Sequence, residues 1–119
     1  MPYVDGFVLP VPKKKLKVYQ KMAEMGGRIW KEHGALEYRE CIGDDLDVMF
    51  GLPFSKSVKL KKGETVVFAW IVYKSRAHRD KVNAKVMKDP RLGQGMESKE
   101  MPFDMKRMYY GGFKTLVDM

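Results

Sequence analysis

The chain carries one order of hydrophobic patterns twice: a strand, an amphipathic helix and another strand. The four predicted strands are Tyr3–Pro10, Ala35–Ile42, Thr65–Tyr73 and Arg107–Val117. The two predicted helices run from Lys13 to His33, and from an N-cap at Ser75 to Lys88. Because crossovers between such strands are right-handed, the βαββαβ order predicts an α+β domain with a four-stranded antiparallel sheet and two helices on one face.

The polarity of each strand predicts its place in the sheet. The first and third strands are apolar on both faces, which is typical of central strands. The second strand alternates apolar and polar residues, as edge strands do, with Tyr38 and Ile42 on one face. Pro10 and Pro12 are expected to end the first strand, because proline cannot donate a backbone hydrogen bond. The pair Gly26–Gly27 predicts a kink or a close approach of the first helix to the sheet.

Two helices can cover only one face of this sheet. The other face still carries large apolar side chains at about six positions, and burying each contributes about 1.5–3 kcal/mol. Leaving this face exposed would therefore lose on the order of 10 kcal/mol of stabilising free energy. This is comparable with the whole free energy of unfolding of a domain, about 5–15 kcal/mol. We expect a homodimer in which two identical sheets cover each other across a two-fold axis.

Length and composition limit the classes of protein to which the chain can belong. The 119 residues accommodate one compact domain, so residues 1–119 are expected to form a single unit. No apolar stretch reaches the ~18 residues that span a bilayer, and the N-terminus lacks a basic leader, so a cytoplasmic location away from membranes is expected. Cys41 is the only cysteine, which excludes an internal disulfide and a cysteine metal cluster. Neither a bound metal nor a cofactor is expected.

The formal net charge of +8 suggests a nucleic-acid partner, because basic surfaces attract phosphate backbones. The densest basic run begins a helix whose other face is apolar: Lys13, Lys14, Lys15, Lys17 and Lys21. The third strand does not contain the glycine and aromatic pattern with which RNA-recognition modules stack bases. We therefore give nucleic acid less weight than a small molecule, and keep it, with a purely structural or interaction dimer, as the alternative.

Short motifs along nearly the whole chain resemble a family of small bacterial proteins of unknown function. They are YVDGF at 3–7, EC at 40–41 with GDD at 43–45, VVFAWIVY at 66–73, RDKVN at 79–83, KDPR at 88–91 and MPFDMKRMYYGGF at 101–113. The resemblance implies a dimeric α+β barrel, in which two ferredoxin-like sheets pack face to face. Similar barrels include antibiotic-type monooxygenases, haem-degrading enzymes, muconolactone-isomerase-like proteins and stress-responsive proteins, but a fold alone does not transfer their chemistry.

The predicted ligand site combines cationic, amide and aromatic side chains in a pocket between sheet and helices. Arg79 and Asn83 lie one helical turn apart, and Arg91 follows shortly after that helix. Together with Asp104 they would bind a small apolar or anionic ligand, because arginine offers two parallel donors. The alternative is an ion-pair network that fastens the following loop to the helix. Trp70 would line an apolar part of the pocket, or belong to the core.

Asp5 and His33 are the candidate acid–base residues. Asp5 lies in a predicted central strand, where it is either an acid with a raised pKa or the partner of Arg39 or Arg107. His33 ends the first helix and is either a general acid or a helix-capping residue, the reading that we favour. No phosphate-loop, serine-hydrolase or zinc-protease motif is present, so the sequence leaves open whether the protein is an enzyme of the monooxygenase or isomerase type.

The loop Arg91–Lys106 is expected to act as a lid. It contains glycines and a proline, with Met101 and Phe103 as apolar anchor points. We expect it to fold over the end of the second helix and to form one wall of the pocket, with Asp104 held by a nearby arginine.

Overall fold

The computed structural model describes residues 1–94 and 101–119. Its strands are β1 (Tyr3–Pro12), β2 (Glu37–Ile42), β3 (Glu64–Tyr73) and β4 (Tyr109–Lys114). Its α-helices are α1 (Leu16–Glu32), α2 (Phe54–Ser57), α3 (Arg76–Met87) and α4 (Pro90–Gln94), and short 3-10 turns occur at Lys13–Lys15 and Met105–Arg107. The predicted βαββαβ order is confirmed, with α2 and α4 as additions. In these ranges no helix combines the length and the apolar character that crossing a membrane requires.

The four strands form one antiparallel sheet in the order β2-β3-β1-β4. The two strands that are apolar on both faces, β1 and β3, occupy the centre, and the half-polar β2 lies at an edge, as predicted. In the register of the sheet, Asp5 of β1 lies opposite Ile71 of β3 and Gly112 of β4. This is the ferredoxin-like arrangement.

Strand β1 continues past Pro10, where the sequence predicts its end, and ends at Pro12. Lys13, the next residue, donates its backbone N–H to the carbonyl oxygen of Gly63 beside β3, at 2.8 Å. Because backbone groups point alternately to the two sides of a strand, the nitrogens of Pro10 and Pro12 point away from β3. On that side β4 pairs with β1 only as far as Val8, so no ladder hydrogen bond is lost.

Helices α1 and α3 cover one face of the sheet and bury two hydrophobic clusters. The cluster near the C-terminal end of α1 consists of Ile29, Ala35, Ile71, Tyr73, Val82 and Val86. The cluster under the N-terminal half of α1 consists of Leu9, Val11, Tyr19 and Val67. Gly34 follows α1 with a φ angle of +117°, a conformation that side chains disfavour, so the glycine ends the helix as its position in the sequence predicts.

Neither α1 nor α3 covers the opposite face of the sheet, which we call the open face. Phe68 of β3 is 45% exposed there, and Phe113 of β4 is 63% exposed. Phe54 of α2 packs edge-on against Phe68, with the ring centroids 6.2 Å apart. The loop before α2 exposes Met49 and Phe50 almost completely. The apolar, uncovered sheet face that the sequence predicts is therefore present.

Phe103 packs against the first half of α1, so the expected position of this residue over the end of α3 is wrong. Its ring meets the ring of Tyr19 edge-on, with the centroids 5.8 Å apart. His33, at the other end of α1, is the residue that contacts Asp89 just after α3. Because Phe103 packs on the hydrophobic cluster around Tyr19, it lies at the opposite end of the helix layer from the end of α3. Residues 95–100 of the predicted lid lie outside the described residues.

Candidate functional site

A cavity of about 470 Å³ lies between α1 and the β2 edge of the sheet. Its lining consists of Leu16, Tyr19, Gln20, Ala23, Glu24, Gly27, Tyr38, Glu40, Cys41, Ile42 and Val67. Tyr19 and Val67 are buried and form its base, whereas Gln20, Glu24 and Ile42 are exposed and form its rim. Its volume falls in the range of small-molecule pockets, about 300–1,000 Å³.

The shape of the cavity follows from the spacing of residues on α1. The lining residues of α1 recur at three- and four-residue steps, which places them on one helical face. At Gly27 the helix touches β2, because a Cβ built on this glycine would lie 3.0 Å from Cδ1 of Tyr38. One turn earlier the small side chain of Ala23 leaves space. The predicted close approach at the glycine pair is confirmed, and it fixes Tyr38 at one end of the cavity.

Glu40 is held from both sides by tyrosine hydroxyl groups. The hydroxyl of Tyr19 donates a short hydrogen bond to Oε1, and the hydroxyl of Tyr38 donates to Oε2 at 2.5 Å. Burial, followed by the nearby Glu40 charge, raises the pKa of Tyr19 and of Tyr38 well above the usual range of a phenol. Both phenols therefore stay protonated and act as donors to the carboxylate.

The polar groups of the cavity are mainly acceptors. Two lining residues, Glu24 and Glu40, carry carboxylates, and none of the lining residues is a lysine or an arginine. Leu16, Ile42 and Val67 supply apolar walls. The arrangement can hold an apolar molecule and accept hydrogen bonds from it. In residues 1–94 and 101–119, no group of three or more histidine, cysteine or acidic side chains is placed to hold a metal ion.

A second polar cluster contains three of the predicted site residues, under α3. Arg79 donates from Nη1 to Oδ1 of Asp5 at 2.9 Å and to the hydroxyl of Tyr110 at 3.1 Å. The Oδ1 atom of Asn83 accepts from Nε1 of Trp30 at 3.1 Å. The predicted partners of Asp5 across the sheet were Arg39 and Arg107; the structure pairs it with Arg79 instead, because α3 lies directly over this part of β1.

His33 and Arg91 belong to a third group, at the C-terminal ends of α1 and α3. The Nε2 atom of His33 lies 2.8 Å from Oδ2 of Asp89. Arg91 donates from Nη2 to the same Oδ2 atom at 2.8 Å and to Glu32 of α1 at 2.5 Å. The bonds from Arg91 and His33 hold the pKa of Asp89 well below its usual range. These contacts form an ion-pair network that joins α4 to α1. The network given as the alternative in the sequence analysis would instead join the loop after α3 to α3 itself.

Asp104 and Trp70 lie apart from the other predicted site residues. Asp104 accepts a hydrogen bond from the backbone N–H of Lys106 at 2.9 Å and caps a 3-10 turn. The expected arginine is not among the described contacts of Asp104. Arg107 donates to Glu64 instead. Trp70 lies on the open face of the sheet, opposite the helices. The structure thus distributes the predicted set over several places, and a ligand-binding role for each residue stays a prediction.

The sequence reading missed Tyr19, Tyr38 and Glu40 as a site. The alternation of the second strand places Tyr38 and Ile42 on one face, and the same alternation places Glu40 between them. An acidic residue on an otherwise apolar face is a signal that was available. Tyr19, in contrast, looks like an ordinary core residue of α1, because only the folded chain brings its hydroxyl to Glu40.

Solved structures with the same fold include several dissimilar sequences. The structure of Rv0793 from Mycobacterium tuberculosis has a TM-score of 0.60 at 11% identity, covering 99% of this chain and 98% of that one. SnoaB, a cofactor-independent oxygenase from Streptomyces nogalater, has a TM-score of 0.57 at 11% identity, covering 99% and 96%. A dimeric ferredoxin-like protein from an uncultured marine organism has a TM-score of 0.50 at 16% identity, covering 100% and 98%.

Sequence similarity to curated proteins is much closer. The chain is 46% identical over 118 residues to the uncharacterized protein YbaA of Escherichia coli K12, and the match covers 99% of each chain. The YbaA protein of Shigella flexneri matches to the same extent. Residues 2–105 match the model of the family described as protein of unknown function, DUF1428. The chain therefore belongs to the DUF1428 family.

Proposed function

We propose that the protein is a homodimer that binds a small, mostly apolar molecule in the cavity between α1 and β2. The observation that carries the proposal is the position of Glu40, a carboxylate that lines a cavity with apolar walls and is held there by two tyrosine hydroxyls. Sites for small molecules commonly combine apolar walls with a few fixed polar groups.

A purely structural role explains Glu40 less well than a ligand does. Glu40 is half-buried, and a carboxylate that loses part of its hydration beside apolar side chains costs free energy unless it is paired. Asp5, Asp89 and Glu64 each pair with an arginine. Within the described ranges, Glu40 forms no ion pair with a lysine or an arginine, and the two tyrosines are its hydrogen-bond partners. A carboxylate accepts about four hydrogen bonds, so Glu40 keeps acceptor capacity for a molecule in the cavity.

The open face of the sheet supports the homodimer. Phe68 and Phe113 are large and partly exposed there, and isolated monomers rarely leave such an apolar surface uncovered. One protein of the same fold is described as dimeric and ferredoxin-like. Two open faces packed together would bury these rings. The cavity lies on the helix side of the sheet, so it would stay outside the interface in each subunit.

Chemistry in the cavity is not part of the proposal. SnoaB, which has the same fold, is described as a cofactor-independent oxygenase. SnoaB is only 11% identical to this chain, and a shared fold does not imply a shared reaction.

The proposal predicts that filling the cavity abolishes binding. Ala23 lines the cavity, so Ala23→Phe would occupy the space with a ring. We expect a library of small aromatic and aliphatic compounds to contain molecules that raise the melting temperature of the parent protein. A compound at about 100 times its Kd should add about 2.7 kcal/mol to the free energy of unfolding. The same compounds should not stabilise Ala23→Phe.

Ala84→Phe is the matched control, because Ala84 is exposed on α3 and does not line the cavity. This variant should keep the response of the parent protein. If compounds stabilise Ala23→Phe as much as the parent, or if no compound stabilises the parent, the cavity is not a ligand site.

A further inference from the structure

We infer that the cavity selects an organic cation: a protonated amine attached to an apolar, aromatic-sized body. This inference rests on the proposed function and names the class of its ligand. Glu40 would be the counter-ion of the ammonium group, and Tyr19 and Tyr38 would hold the carboxylate in place. The sequence alone favoured an apolar or anionic ligand near Arg79 and Arg91, and neither arginine lines the cavity.

The charge of the cavity is opposite to the charge of the whole molecule. The chain contains 23 lysines and arginines against 15 acidic residues, for a formal net charge of +8. The cavity lining nevertheless contains Glu24 and Glu40 and neither a lysine nor an arginine. Like charges repel, so an anionic ligand beside Glu40 would be disfavoured. A cation in the same place would be attracted.

Most hydrogen-bond donors of the cavity side chains are already in use, whereas acceptors remain free. A tyrosine hydroxyl has one hydrogen, and Tyr19 and Tyr38 both donate theirs to Glu40. Gln20, at the exposed rim, donates one of its two amide hydrogens from Nε2 to Oε1 of Glu24 at 3.1 Å. A carboxylate ligand would therefore find few donors. An ammonium group brings three donors of its own, and each oxygen of Glu40 keeps a lone pair to accept one of them.

The walls of the cavity suit the rest of such a ligand. The faces of tyrosine rings attract cations, and Tyr19 and Tyr38 both line the cavity. Leu16, Ile42 and Val67 offer apolar contact to a hydrocarbon body. A neutral alcohol of the same shape would fill the space equally well, but it brings one donor and no charge. The amine should therefore bind more tightly than the alcohol, and the alcohol more tightly than the acid.

Three indole derivatives with one skeleton test the order of affinity directly. Tryptamine carries an ammonium group at neutral pH, tryptophol a hydroxyl and indole-3-acetate a carboxylate. Each is titrated into the ¹⁵N-labelled native protein, and Kd is taken from backbone amide shifts in α1 and β2. We expect tryptamine to bind at least about tenfold more tightly than tryptophol, and indole-3-acetate to bind most weakly, since a hydrogen bond to a charged group is worth about that factor.

Two variants separate the role of Glu40 from that of the rim. Glu40→Gln should lower the affinity for tryptamine about tenfold and change the affinity for tryptophol by less than about threefold. Glu24→Gln, at the exposed rim, should have a clearly smaller effect on tryptamine, because solvent screens its charge. The comparison of the three ligands on the parent protein does not depend on either variant folding correctly.

The outcomes distinguish this inference from the proposed function. If tryptophol or indole-3-acetate binds in the cavity as tightly as tryptamine, the inference of a cation site is overturned and the proposed small-molecule site stands. If Glu40→Gln weakens tryptamine and tryptophol equally, Glu40 is not the counter-ion. If none of the three ligands shifts the backbone amide signals of α1 and β2, these compounds do not bind in the cavity, and the inference of a cation site is wrong.

Discussion

Asp5 lies under α3 with 1% of its surface exposed, and Arg79 supplies the charge that balances it. Burial raises the pKa of Asp5 above its usual value of 3.8, and Arg79 acts in the opposite direction without cancelling the effect. The folded state therefore holds the proton of Asp5 more tightly than the unfolded state. By itself this group favours folding below its unfolded pKa, and that contribution is lost as the pH rises through the folded pKa.

Arg79→Met should accordingly cost more stability at neutral pH than in acid. Without Arg79 an unbalanced carboxylate stays buried, and breaking a buried pair in this way costs about 3–5 kcal/mol. The pKa of Asp5 should rise further, so the cost should shrink once Asp5 takes up a proton. Urea unfolding at about pH 7 and at about pH 4 measures the two values.

The Asp5→Asn background provides the control for this prediction, because it removes the charge and keeps the shape of the side chain. In that background Arg79→Met should cost less, and the cost should no longer depend on pH over the same range. An equal cost at both pH values in the original protein would show that Arg79 acts through packing and not through charge.

Single residues differ in how far the sequence reveals them. Asp5 was recognised as a buried charge that needs a partner, but Arg79 lies 74 positions away in the chain and only the placement of α3 over β1 joins them. Glu40 was visible in principle, since the alternation of β2 puts it beside Tyr38. The contact with Tyr19 was not, because it depends on the rotation and height of α1 above the sheet.

At the scale of elements, the packing of α1 on β2 is set by the glycine pair. A Cβ on Gly27 would lie 3.0 Å from a ring carbon of Tyr38, whereas a Cβ on Gly26 would lie 3.3 Å from the hydroxyl oxygen at the tip of the same ring. The ring carbon is near the backbone of β2 and moves less easily than the tip. The helix and the strand are therefore in closest contact at Gly27.

Gly27→Ala should be less stable than Gly26→Ala by at least about 1 kcal/mol. Both replacements gain the same helix propensity, about 1 kcal/mol, so this term cancels in the comparison. Gly27→Ala additionally overpacks the contact with Tyr38, which typically costs about 1–3 kcal/mol. Urea unfolding of the two variants gives the difference. Equal stabilities would mean that β2 yields easily and that the glycine is not needed for the approach.

The elements themselves could be predicted well from the sequence, and their limits less well. Strands that are apolar on both faces must be covered on both sides, which places β1 and β3 in the centre. The end of β1 depends instead on its pairing with β3, which continues to Pro12 although β4 pairs only as far as Val8, and no local pattern encodes this pairing. The helix α4 lies at the start of the segment that the sequence predicts as a loop, because its five residues are too few to show a helical pattern.

At the scale of the whole molecule, the open face should determine the oligomeric state. Sedimentation equilibrium should give twice the chain mass of 13.8 kDa. Phe68→Asp should shift the protein to monomer, because it places a charge in the interface that two apolar faces would form. Circular dichroism should show that helix and strand content is kept.

Val18→Asp is the matched substitution on the other side of the molecule. Val18 is 49% exposed on α1, close to the 45% of Phe68, but it lies in the helix layer. The dimer should persist in this variant. A folded Phe68→Asp protein with unchanged mass, or a parent protein that sediments as a monomer, would exclude the open face as the interface.

All residues that line the cavity, except Val67, come from the single stretch Leu16–Ile42. The dimer face around Phe68 and the Asp5–Arg79 pair depend on other parts of the chain. The stretch would therefore behave as an exchangeable cassette: a segment grafted from one DUF1428 protein into another should bring its own ligand preference with it. If the proposed ligand site is right, members of this family could differ in their ligands through changes in this stretch, while the open face around Phe68 and the Asp5–Arg79 pair stay the same.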